Sequence, residues 1–88
     1  MAGGASPQQQ AGQQPGGECV EFMSLVKVCA GDVVLVQTAR SQVVGCVRSV
    51  RTGYAGDALL IERPDGRTGV VKLKYVAYLE VVERGGCR

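Results

Sequence analysis

The chain has 88 residues, with ten Lys and Arg against eight Asp and Glu for a net charge of +2, four Cys, and no His or Trp. A chain this short holds one domain, and a charge this small excludes the broad basic field of a non-specific nucleic-acid coat. Without His, general acid–base catalysis near neutral pH lacks its usual group and a Cys nucleophile lacks its usual base, so an enzyme is not expected.

Residues 1–17, MAGGASPQQQAGQQPGG, contain no Val, Ile, Leu, aromatic or charged residue. Such a stretch cannot bury enough apolar area to offset its ordering entropy, which predicts a disordered tail. The folded domain is expected over 18–84, with a flexible C-terminus at 85–88. A domain of roughly 65–70 residues buries only about 60% of its unfolded surface, so association or covalent staples are expected additions. No signal-like n-region opens the sequence and no apolar run approaches the ~20 residues of a membrane helix, which predicts a soluble, cytoplasmic protein.

The next segment, 18–27, places Cys19, Phe22, Met23 and Val26 at i, i+3, i+4, i+7 spacing and predicts a short amphipathic helix. Gly31 and Asp32 punctuate. The run 33–38, β-branched on both faces, predicts the first strand, and 42–51 predicts a longer second one. Gly45 inside it marks a bend or a close backbone approach. Glycines make 52–57 a loop before a third strand at 58–63. The Asp65-Gly66 step predicts a hairpin turn with positive φ at both central residues. Two further strands follow from Val70 to Val82, joined near Lys74-Tyr75 without Gly or Pro, hence by a bend or a very short turn. The sum is a mainly β fold: a small five-stranded, strongly bent antiparallel barrel preceded by a short N-terminal helix.

Cys19, Cys29, Cys46 and Cys87 show no metal-clip spacing, so neither a metal nor a cofactor is expected. Free Cys is among the most buried residue types, and Cys46, between apolar neighbours, is expected to be buried and inert. Disulfides are the alternative, with three pairings open. Cys19 and Cys87, near the two ends of the folded region, are the better candidates. The lack of Asn in a Val- and Arg-rich chain fits a hyperthermophile, an intracellular setting in which disulfides are common.

The helix, three strands and final pair, with Val33, Leu35, Val43, Gly45, Val47, Val50, Leu59 and Ile61 on apolar positions of a first motif (31–62) and 70–80 as a second, resemble the Sm-like family, including its Hfq-like branch. The resemblance covers about residues 18–83. It implies a ring of six or seven subunits, closed by pairing the fourth strand of one subunit with the fifth of the next, and single-stranded RNA bound at the pore. Where the family has an Asp and an Asn after strand two and an Arg-Gly step after strand four, this chain has Arg51 and Ala58, then Lys72-Leu73. The base-reading carboxamide is missing, which implies weak sequence selectivity.

Single strands are held by cations that track phosphates and by flat side chains that stack on bases. Arg48, Arg51 and Tyr54 lie within one loop margin, and Lys72 and Lys74 alternate on the fourth strand. These five residues are the expected RNA-binding set, and a homo-oligomeric ring would multiply a weak site. The alternative is a protein-interaction or structural barrel, similar to SH3-like or PRC-barrel modules, with no nucleic-acid role.

Overall fold

The computed structural model describes residues 18–87, and the tail expected over residues 1–17 lies outside them. The chain begins with a hairpin, β1 (Cys19–Phe22) and β2 (Val26–Cys29), paired in the register Cys19↔Cys29, Val20↔Val28, Glu21↔Lys27 and Phe22↔Val26. This overturns the expected N-terminal helix. Val20, Phe22, Val26 and Val28 alternate onto one face of the hairpin and pack against the core. Phe22 and Val26 are the two positions shared with the expected helical face, four apart because of the three-residue turn, whereas Cys19 lies on the other face of the hairpin and Met23 in its turn. Leu25 N donates to Phe22 O at 3.0 Å, and Met23 and Ser24 both hold positive φ, 56° and 59°, the turn type favoured in tight hairpins.

Five strands follow in one antiparallel sheet: β3 (Val33–Thr38), β4 (Gln42–Arg51), β5 (Ala58–Glu62), β6 (Thr68–Lys72) and β7 (Val76–Glu83). Their spatial order is β6-β5-β4-β3-β7. The strands expected at 33–38 and 42–51 form at those bounds. Gly45 is a close approach, because a Cβ there would sit 2.5 Å from Glu62 O on β5. A few residues on, the register of β4 against β5 shifts between Val47 and Ser49, leaving Arg48 as a bulge that bends the strand.

Two turns decide how the sheet ends. At 63–67, Gly66 N donates to Arg63 O at 2.9 Å and Arg67 N to Asp65 Oδ1 at 3.0 Å. Here only Gly66 has positive φ (89°), so Pro64 and Asp65 form an ordinary turn and the expected doubly positive one is corrected. The joint after β6 is a three-residue 3₁₀ turn, Leu73–Tyr75, which fits the expected short connection. It removes Lys74 from β6, so Lys72 and Lys74 do not share a strand face as expected.

The sheet is curled, yet it does not close into the expected barrel. All five residues of β6 pair with β5, and the 3₁₀ turn carries the chain across the mouth to β3, so β6 and β7 remain two separate open edges. The core includes Val34, Val36, Val47, Val50, Leu59 and Ile61 from the concave face, with Leu73, Val76 and Leu79 beside them and Val20 and Val28 of the hairpin closing one end.

Both cysteine expectations are corrected. Cys19 is bonded to Cys29 and Cys46 to Cys87, so Cys46 is not a free thiol and the Cys19–Cys87 pairing does not form. Cys19 and Cys29 are directly opposed in the hairpin register, which is the short-range reason for their pairing. Asp32, read from sequence as a turn residue, is 3% exposed. It accepts from Cys29 N at 3.0 Å, Gly85 N at 2.8 Å and Arg84 Nη1 at 2.9 Å. Together with the Cys46–Cys87 bond, these contacts pin residues 84–87 against the start of β3, so the flexible end expected from residue 85 is held at 85–87. Among the described residues, no helix is long and apolar enough to cross a membrane.

Candidate nucleic-acid interface

Strand register brings part of the expected cation set together. Arg51 on β4 pairs with Ala58 on β5, and Ala58 with Lys72 on β6, so the three occupy one rung. The neighbouring rung, Val50, Leu59 and Val71, faces the core, and alternation therefore turns Arg51, Ala58 and Lys72 outward. Two strand spacings separate the two cations, roughly 10 Å between Cα atoms.

The loop that carries Tyr54 lies beside this rung. It is tightened by Gly56 N donating to Gly53 O at 2.9 Å, and Asp57 O accepts from Leu73 N at 2.9 Å, which ties the loop to the 3₁₀ turn that bears Lys74. Tyr54 is fully exposed at the loop tip and packs on nothing that would anchor it to the sheet. Lys74 places its ammonium 5.3 Å from the Tyr75 ring centroid, a cation–π contact. On the outward side of the rung, Ser49, Leu60 and Val70 line a shallow depression of about 270 Å³ with Arg51 and Ala58.

Arg48 is the member that does not join. Its Nε lies 2.6 Å from Glu62 Oε1, at the opposite end of β5 from Ala58, and it lines a different concavity. The expected set thus separates into Arg51, Lys72, Tyr54 and Lys74 around one end of β5, with Arg48 at the other.

Sequence reading missed a second feature of the same sheet. Along the unpaired edge of β6 runs a groove of about 750 Å³ lined by Val43, Val71 and Tyr75 and flanked by Arg63, Arg67 and Lys72. The opposite free edge, on β7, bears Glu80 and Glu83. Glu80 accepts from the Tyr78 hydroxyl at 3.0 Å, and that hydrogen bond, with the carboxylate charge, raises the phenol pKa above its ordinary value. Among the described residues, no group of three or more His, Cys, Asp or Glu is arranged to hold a metal ion. Compared with family models, curated proteins and solved structures, the chain matches none.

Proposed function

We propose that this protein is an Sm-like, ring-forming subunit that binds or scaffolds single-stranded RNA with weak sequence selectivity. The observation that carries the reading is the Arg51–Ala58–Lys72 rung beside the exposed Tyr54, two phosphate-seeking charges and a stacking ring at one end of a curled sheet. Assembly is supported by the two open sheet edges, one flanked by Arg67 and Lys72 and the other bearing Glu80 and Glu83. A head-to-tail contact between them repeats the weak site around the ring, and avidity rises without new contacts.

Where the resemblance places a base-reading carboxamide and an Arg-Gly step, this chain has Ala58 and Lys72-Leu73, so discrimination between bases is small and affinity is mostly electrostatic. Fluorescence anisotropy with short oligouridine and oligoadenosine at two salt concentrations tests this. Comparable binding of both that falls steeply with salt is the expected result. No binding at low salt would instead favour the interaction-barrel reading, which the apolar groove along β6 supports.

A further inference from the structure

We infer that the open edge of β6 takes an extended acidic peptide as an added strand, in the order acidic, apolar, any, apolar, acidic. This partner is separate from RNA and does not depend on RNA binding.

The backbone of β6 is ready for a neighbour. Arg63 N donates to Arg67 O at 2.7 Å and Leu73 N to Asp57 O at 2.9 Å, one at each end of the β5–β6 ladder. Bonded and non-bonded pairs alternate along an antiparallel ladder, so the bonds from β6 to β5 fall on Gly69 and Val71. The N–H and C=O groups of Thr68, Val70 and Lys72 are therefore turned to the open side, where no strand lies beside them.

Side chains follow the same alternation. Leu59 and Ile61, the partners of Val71 and Gly69, are buried, so Val71 and Gly69 face the groove while Val70 and Lys72 face outward. Gly69 is the telling residue. Gly45 owes its place to Glu62 O, but a Cβ on Gly69 would meet nothing within 4 Å, and its φ is not positive. Nothing within the chain calls for Gly there. A strand laid along the edge does, because its side chains need the space above Gly69.

Shape and charge name that strand. The groove, of about 750 Å³, has Val43, Val71 and Tyr75 for apolar contact and Arg63, Arg67 and Lys72 around it. Among the described residues, no Asp or Glu lines it. Asp65 lies 3.9 Å from Arg67 Nε and offsets part of one charge, while Glu62 is engaged by Arg48. Arg67 precedes β6 and Lys72 ends it, with Gly69 and Val71 between them. In an added strand, the residues opposite Gly69 and Val71 point into the groove and carry the apolar side chains. Those opposite Thr68 and Lys72 point outward beside the cations, and carboxylates suit them.

Fluorescence anisotropy of a labelled peptide, Ser-Glu-Ile-Thr-Val-Glu-Ser, tests this. It is titrated with the full chain and with Glu80→Lys plus Glu83→Lys, in which a second copy no longer offers an acidic strand to the same edge. Saturable binding to at least one is expected, and binding to the double variant alone supports the inference, with a second copy covering the edge in the parent. Exchanging both Glu of the peptide for Lys should weaken binding by about tenfold or more, and Arg67→Glu by about threefold or more. N-methylation of alternate peptide amides should abolish binding in one frame and spare it in the other, since only one set faces β6. Gly69→Val, which suits a strand but fills the groove, should weaken binding by about tenfold or more with the β spectrum retained. No saturable binding to either protein, equal binding of the Lys peptide, indifference to both N-methyl frames, or a folded Gly69→Val that binds like its parent would each overturn the inference.

Discussion

The buried carboxylate of Asp32 concentrates more of the tertiary structure than any other polar side chain described here, because its donors come from the end of β2 and from the segment after β7. Replacing it with Ala would leave two backbone N–H groups without their acceptor in a nearly closed site. Asp32→Ala should therefore cost about 2–4 kcal/mol in urea denaturation. Arg84→Ala, which removes a half-exposed partner, should cost less than about 1 kcal/mol. Gly45 sets a steric limit instead: a Cβ 2.5 Å from Glu62 O forces β4 and β5 apart, and Gly45→Ala should lose about 1–3 kcal/mol in the same assay. At Tyr78 the hydrogen bond to Glu80 favours the neutral phenol, so its folded-state pKa lies above the unfolded one. The stability linked to it is present below pH 10 and is lost as pH rises through the higher folded value. Ultraviolet titration of tyrosinate should show Tyr78 titrating above the ordinary phenol value, and Glu80→Gln should lower it.

The hairpin β1–β2 stands where a helix is expected, and its turn holds two non-Gly residues at positive φ. Each such residue costs of order 1 kcal/mol or more, so replacing Met23-Ser24 with Asn-Gly should raise stability by roughly 1–2 kcal/mol, read as a higher urea midpoint. Opposite in sign, Cys19→Ser with Cys29→Ser should cost roughly 2–3 kcal/mol in the chain-entropy model, for a sequence separation of 10. β3 and β4 were legible because their β-branched runs are long enough to fix both type and boundary, and Gly45, read as a bend or a close approach, turned out to be the close approach. The hairpin was not, since a three-residue turn sets Phe22 and Val26 four apart, and with Cys19 and Met23 they read as a helical period. Its one local signal was symmetry: Cys19 and Cys29 lie equidistant from Ser24. The candidate site divides the same way. Arg51 and Lys72 stood out as charges at the ends of apolar runs, whereas the groove along β6 joins Val43 to Val71 and Tyr75 from distant parts of the chain and leaves no local trace.

At the level of the whole molecule, the decisive feature is that a five-stranded sheet of this curvature stops before closing and leaves β6 and β7 as two edges of unlike charge. Unpaired edges invite strand addition, and unlike edges on one chain favour a head-to-tail contact that closes into a ring when the rotation permits. Exposed ion pairs contribute only about 0.2–1 kcal/mol each, so in the proposed ring they would select the partner edge rather than drive assembly, and the groove beside β6 would supply the apolar burial. Charge reversal therefore offers a clean test. Arg67→Glu with Lys72→Glu makes both edges acidic, and Glu80→Lys with Glu83→Lys makes both basic. Light scattering after size exclusion should show the parent chain as a multimer at micromolar concentration and each double variant as a monomer. Mixing the two double variants, or combining all four changes in one chain, pairs unlike edges again and should restore the assembled mass. A monomeric parent chain, or double variants that assemble as well as the parent, would show that these edges do not meet.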